Sequence, residues 1–305
     1  MVTFAPRVTF WRRLRAVVLS VIPGSGHLLL GRWKRGAVWL GATLVLGASL
    51  PLLGFAGFVL ELAVRLGAAL DVMRLAPRRE GLPGPGRVLL GVVCFWGVAG
   101  VAGGVTRHWL AESFIMPSIS MQPTLRRGDH FYADKRRAVE RGGVLVFSKP
   151  GQREVQSVMR AVAFGGDRVS VRCGRLHIGG RPAGGTKLGG CEAWENDSPS
   201  CEKYEEVLGE HRYQVLLAEG SACPSIGDFP SEASGCPGGM ETREAGCVVP
   251  EGQVFLLGDN RNNAFDSRSW GPLPVEEVVA SAHFIHFSWS REDGVRWERL
   301  GARVH

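Results

Sequence analysis

Two serines stand two residues apart, Ser118 and Ser120, within the stretch Phe114-Ile115-Met116-Pro117-Ser118-Ile119-Ser120-Met121-Gln122-Pro123-Thr124-Leu125. Pro117 and Pro123 bracket them and restrict the backbone, and i, i+2 spacing in an extended segment turns alternate side chains the same way. That arrangement suits a hydroxyl nucleophile with a second hydroxyl beside it. Attack on a carbonyl further requires a base to take the serine proton and a donor aimed at the developing oxyanion. Short Ser-x-Ser patterns also arise in ordinary turns, so the remaining sequence has to decide between nucleophile and turn.

Apolar residues, which set what must hold this segment, are unevenly spread. They crowd the first third of the chain, although the overall hydrophobic share is an ordinary 45%. Residues 1–106 read as a membrane region. Its first part, 1–35, is a basic interfacial or re-entrant segment in which Arg7, Arg12, Arg13 and Arg15 interleave with Phe10, Trp11 and Leu14, followed by an apolar run broken at Pro23-Gly24. Residues 36–53 carry no charge and are long enough to span a bilayer. Residues 54–75 read as a return span with Glu61 and Arg65 at i, i+4 and Asp71 near its end, and 88–105 as a third, uncharged span. Keeping the basic clusters on one side, Arg74, Arg78, Arg79 and Arg87 included, places everything after the third span outside the cytoplasm. The expectation is a multi-pass protein of the cytoplasmic (inner) membrane.

Residues 107–305 read as an extracytoplasmic, mainly β domain. β-branched and aromatic runs at 143–147, 168–171, 213–217, 253–257 and 283–289 are separated by Gly, Pro and Asp turns. Cys173, Cys191, Cys201, Cys223, Cys236 and Cys247 fall within about 173–247, which reads as an inserted subdomain between 107–172 and 248–305. An even number of thiols outside the cytosol is compatible with disulfides, with free or partly paired thiols as the alternative, and spacing fixes no pairing. No Cys-x-x-Cys pair or Cys/His cluster has zinc-ligand spacing, and no metal or other cofactor is expected. The formal net charge of +7 is accounted for by arginines flanking apolar runs. With no RNA- or DNA-binding signature, no nucleic-acid partner is expected.

Several short boxes, taken together, resemble the type I signal peptidases. They are Pro117 to Leu125, then Gly128-Asp129, then Arg160-Ala161-Val162 with Gly166-Asp167-Arg168-Val169, then Gly258-Asp259-Asn260-Arg261-Asn262-Asn263, then Asp266-Ser267-Arg268 and Trp270-Gly271. Tyr204-Glu205-Glu206, Val249-Pro250-Glu251-Gly252 and Phe287-Ser288-Trp289 resemble the connecting segments of that family. The likeness covers about 110–290 and leaves 1–75 unexplained. It implies a membrane-bound serine endopeptidase with a mainly β catalytic domain. Its ligands would be the signal peptides of exported preproteins, cut after a small-x-small motif near membrane lipid, with secretion machinery or a second peptidase as further partners. By the same likeness Ser120 is the nucleophile, and Ser118 assists the oxyanion hole built on Ser120's own amide. Asp266 and Arg268 are the charged pair that supports the site.

Carried across residue by residue, the resemblance also exposes a gap. The family's general base is a buried, neutral lysine immediately before the Arg of the Arg-Ala-Val box, and Met159 occupies that place. A thioether is a weak acceptor that takes no proton at physiological pH. The serine that orients the lysine corresponds to Ala264. His130 and Lys149 are the candidates for a replacement base, whereas Arg160 stays protonated; Lys135, like Lys149, matches a position expected to be exposed. His108, His211, His283 and His286 show no pattern that links them to Ser120. Three readings therefore stand: an active membrane-bound peptidase, a catalytically silent relative that binds signal peptides by strand addition and regulates export, and a membrane-anchored scaffold.

Overall fold

The computed structural model describes residues 5–75, 85–149, 152–192, 201–218, 228–231, 235–244 and 246–305. Cys223 and most of the basic linker at 74–87 lie outside the described residues. The chain divides into two compact units, Met1–Glu112 and Ser113–His305.

The first unit is helical: α1 (Ala5–Leu19), α2 (Ser25–Leu29), α3 (Trp33–Arg74) and α4 (Pro85–Val105), the last running into a π-helical turn at Thr106–Leu110. Gly24 adopts a φ of 99°, and a Cβ there would meet the Gly36 carbonyl oxygen at 2.2 Å, so only glycine lets the turn before α2 press against α3. Buried His27 of α2 then bonds through Nε2 to Asp71 Oδ2 at 3.0 Å, and Trp39 Nε1 donates to the same carboxylate at 3.1 Å. Residues 36–53 and 54–75, expected as two antiparallel spans, are instead parts of one helix. α3 continues for 42 residues with no turn at 53/54. Pro51 removes one N–H and can kink a helix, but the helical run of good helix formers continues on both sides and nothing reverses the chain. Arg65 does bond Glu61 at i, i+4, with Nε to Oε1 at 3.0 Å. Among the described residues one helix, 88–110, is long and apolar enough to cross a membrane. The expectation of a multi-pass region is not upheld.

The second unit is β-rich. In chain order the strands are β1 (Ala111–Ile115), β2 (Asp129–Asp134), β3 (Val144–Lys149), β4 (Gln152–Phe164), β5 (Arg168–Arg172), β6 (Arg175–Ile178), β7 (Arg181–Pro182), β8 (Lys187–Gly190), β9 (Cys201–Leu208), β10 (His211–Ala218), β11 (Glu241–Arg243), β12 (Gly246–Val248), β13 (Gln253–Leu257), β14 (Leu273–Pro274), β15 (Val278–Ser290) and β16 (Gly294–Val295). The main sheet has the order β1-β2-β15-β3-β4-β13-β14, with β16 on β15. β11-β12-β5-β6-β7 form a second sheet and β10-β9-β8 a third.

Strand alternation explains why two cores form on the two faces of the main sheet. Along β13, Val254 and Leu256 enter one core with Phe131, Leu145 and Met159, while Phe255 and Leu257 enter the other with Val171, Leu176 and Phe229. The register of β4 against β13 slips beside Val162, so that Val162 and Ala163 both reach the second core. The Cys-rich stretch thus shares its core with β4 and β13. Two disulfides clip it, Cys191–Cys201 and Cys236–Cys247, and Cys173 is also disulfide-bonded.

A buried charge pair joins these layers. Arg261 reaches Glu206 through Nη1 at 3.1 Å, and Glu206 also accepts from the Tyr213 hydroxyl at 3.0 Å and the Leu176 amide at 3.2 Å. Burial alone would push the Glu206 carboxyl up, but the Arg261 charge and these hydrogen bonds outweigh it and hold the group below the ordinary carboxylate range. Because the folded value lies below the unfolded one, this contribution is complete above about pH 4–5 and is lost as pH falls through the lower folded value. The melting-temperature gap between wild type and Glu206→Gln is therefore expected to be wide at pH 6 and to shrink below pH 4. A gap that stays constant on acidification would show that the carboxylate is not the source.

Candidate active site

The segment between β1 and β2 is fixed by what it buries. Met116, Met121 and Leu125 are at most 2% exposed and drop into the first core. Between these anchors the backbone is held by hydrogen bonds from Gln122 N to Ile119 O (3.1 Å) and Leu125 N to Met121 O (2.9 Å). From the loop after β13, Asn260 N donates to Ser120 O at 3.0 Å, and Asn260 Nδ2 to Ile119 O at 3.3 Å. The two hydroxyls do meet, across a bend at 118–120 rather than along the extended segment expected: Ser118 Oγ lies 3.0 Å from Ser120 Oγ, and both residues are half-buried.

Asn260 is positioned by its neighbour Asp259, which is buried against buried Arg160. Arg160 donates from Nε to Oδ1 at 2.7 Å and from Nη2 to Oδ2 at 2.6 Å, a two-pronged pairing. Arg160 Nη1 also donates to Gly142 O at 2.6 Å, the guanidinium stacks 3.9 Å over the Tyr213 ring, and the Thr124 hydroxyl donates to Asp259. One ion pair thus ties the end of the serine segment to the loop that grips Ser120. Arg160, too basic to act as a general base, takes this structural role instead. The available signal was an arginine inside the apolar run Val158-Met159-Arg160-Ala161-Val162, which demands a buried partner.

Asp266 and Arg268 sit behind this loop. Buried Asp266 accepts from Gly258 N at 3.1 Å and from Arg268 Nε at 2.8 Å, and Arg268 in turn donates to Arg261 O. Gly258 lies in a gap that admits no side chain, since a Cβ would stand 2.3 Å from Ala264 Cβ and 2.7 Å from Ser120 O. Ala264 is thereby placed across Gly258 from the Ser120 carbonyl.

Met159 is on β4 opposite Leu145, 7% exposed and part of the first core. Neither replacement candidate is hydrogen-bonded to the Ser120 hydroxyl. His130 lies on β2 opposite Phe287, with ring centroids 5.3 Å from Phe287 and 6.0 Å from His286. The Lys149 ammonium rests 5.7 Å from the ring centroid of Phe265, the residue after Ala264. Among the described residues the Ser120 hydroxyl has one hydrogen-bond partner, the Ser118 hydroxyl.

The site thus joins a hydroxyl on a proline-bracketed segment of a β domain to a loop held by a buried acid–arginine pair. The family model for signal peptidase, peptidase S26, matches residues 89–289. The chain belongs to that family. It is 31% identical over 214 residues to signal peptidase I of Pseudomonas fluorescens, covering 61% of this chain and 68% of that protein. It is 30% identical over 208 residues to signal peptidase I of Aquifex aeolicus, covering 60% and 78%. A crystal structure of a signal peptidase I from Enterococcus faecalis overlaps 48% of this chain and 97% of its own at 22% identity, with a TM-score of 0.26.

Proposed function

We propose that this chain is a membrane-anchored signal peptidase I-type protein. It binds the signal peptides of exported preproteins along the Ser120 segment, with residues 107–305 on the extracytoplasmic side and the helix at 88–110 as anchor. Ser120 faces the scissile bond after a small-x-small motif, and Ser118 assists the oxyanion site. Cleavage is slow, because among the described residues no base is hydrogen-bonded to the Ser120 hydroxyl to take its proton. The observation that carries this reading is that, among the described residues, the Ser120 hydroxyl pairs with the Ser118 hydroxyl alone, while apolar Met159 lies in the first core and Ala264 stands across Gly258 from the Ser120 carbonyl. Loss of a general base forfeits roughly 10²–10⁴-fold in rate, while positioning and oxyanion stabilisation persist. Disulfides within 173–247 support an oxidising compartment.

The test uses purified full-length chain with a preprotein that carries a photocrosslinker in its signal peptide. Crosslinking to residues 114–125, with slow cleavage that disappears in Ser120→Ala, is expected. Crosslinking without any Ser120-dependent cleavage would select the second reading, a silent signal-peptide-binding homologue that regulates export or another peptidase, which the apolar surroundings of Met159 favour. Absence of crosslinking would sink both.

A further inference from the structure

The hairpin β9–β10 belongs to the Cys-rich stretch, yet one of its faces closes on the loop after β13 that grips Ser120. Register places Tyr213 opposite Glu206, so the two side chains share that face. The Tyr213 hydroxyl donates to Glu206 at 3.0 Å, and Glu206 accepts from Arg261. The ring of the same tyrosine lies under the Arg160 guanidinium, 3.9 Å from its centroid, and Arg160 holds Asp259. Tyr213, itself buried, therefore touches both buried ion pairs. The backbone of β10 follows the loop as well. Leu216 N donates to Asp259 O at 2.9 Å, and Ala218 N to Asn262 Oδ1 at 2.8 Å. Asn260 lies between these anchors and donates to Ser120 O.

The packing that fastens the hairpin needs neither ion pair, since Leu208 and Val215 are buried in the second core with Val171, Leu176 and Phe229. That core alone leaves the main chain of 259–262 more than one way to satisfy its polar groups. Two buried charge pairs remove the freedom once something sets the spacing between them. Tyr213 has the shape for it: a flat face for the Arg160 guanidinium, and a hydroxyl at the far end of the ring for Glu206. Burial, reinforced by the Glu206 charge, pushes the Tyr213 hydroxyl up, so it stays protonated and donates.

We propose that Tyr213 is a positioning residue of the Ser120 site, acting through Asn260. It couples the Arg160–Asp259 pair to the Arg261–Glu206 pair, and the loop between them fixes the Ser120 carbonyl and with it the aim of the Ser120 hydroxyl. A nucleophile misplaced by about 1 Å can lose on the order of 10²-fold in rate. The effect on cleavage rests on the proposed reading of Ser120 as nucleophile, and the effect on the loop does not.

The experiment reads amide hydrogen exchange in the full chain in detergent, beside crosslinking and cleavage of the photocrosslinkable preprotein. Tyr213→Leu is expected to speed exchange at the Asn260 amide, relative to the amides of β9, by about tenfold or more, the scale of losing a buried cation–π contact and a hydrogen bond. Tyr213→Phe keeps the stack and should speed it only about threefold; it decides the matter if Tyr213→Leu does not fold. Val215→Ala, on the same strand and fully buried in the second core, is the stability control, and its Asn260 and β9 amides should move together. Cleavage by Tyr213→Leu should fall by about tenfold or more while crosslinking to residues 114–125 persists. An Asn260 amide that stays protected in both tyrosine variants, or selective loosening in Val215→Ala, overturns the proposal. So does a loosened Asn260 with undiminished cleavage. A wild-type chain that fails to crosslink overturns the functional reading instead, and the exchange result still decides whether Tyr213 sets the loop.

Discussion

Met159→Lys combined with Ala264→Ser is expected to raise Ser120-dependent preprotein cleavage by roughly 10²–10⁴-fold, the range a general base contributes. Lysine and methionine are both unbranched, so the backbone of β4 opposite Leu145 has no reason to move. The place is nearly closed to water, with Met159 7% exposed in the first core. Desolvation disfavours the charged ammonium there and lowers its pKa, which makes the free amine available near neutral pH. A hydroxyl at position 264 would stand across Gly258 from the Ser120 carbonyl, in reach of the same neighbourhood. The single Met159→Lys variant should gain less than the pair, because an unanchored amine samples many rotamers. Cleavage kinetics on one preprotein, with Ser120→Ala introduced into the double variant, checks this. A double variant that melts cooperatively and still leaves the preprotein intact would show that more than the base has been lost.

Much of the site was legible in the residues. The i, i+2 serines do present adjacent hydroxyls, and the spacing that suggested it is a local property. The same holds for the strand 253–257, an unbroken apolar run from Val254 on, whose two faces feed two cores. What could not be read is long-range. Nothing in the spacing of Thr124, Arg160 and Asp259 announces that they meet, and the role of Gly258 depends on atoms contributed by Ser120 and Ala264 from two other places in the chain. The slip at Val162 is equally invisible, because register is set by the partner strand. The misread spans in the first unit have a simpler origin. Hydropathy counts apolar residues but is blind to whether a helix stops, and at 53/54 no Gly-Pro or polar turn ends α3.

Asp259→Asn is expected to cost about 3–5 kcal/mol of stability, because it leaves the Arg160 cation buried without its counter-charge. Arg160 and Asp259 are both essentially inaccessible, and the amide side chain retains hydrogen bonding but not the charge. The damage should not stay local. The Asn amide leaves one acceptor oxygen where the Thr124 hydroxyl and two Arg160 N–H groups now share two, and Asn260, next in the chain, is the residue that donates to the carbonyls of Ile119 and Ser120. Signal-peptide crosslinking should therefore fall together with the melting temperature. Replacing both partners with apolar residues, Arg160→Met with Asp259→Leu, separates the two effects. Removing both charges leaves no uncompensated ion, so the double variant should be more stable than Asp259→Asn even though it has lost more hydrogen bonds. Its crosslinking should nevertheless remain poor, because no two-pronged pairing is left to aim the Asn260 loop at the serine segment. A denaturant double-mutant cycle run beside the crosslinking assay decides the matter. Additive losses would mean that Arg160 and Asp259 are not energetically coupled, and a double variant with restored stability and full crosslinking would mean that the ion pair holds the fold without aiming the site.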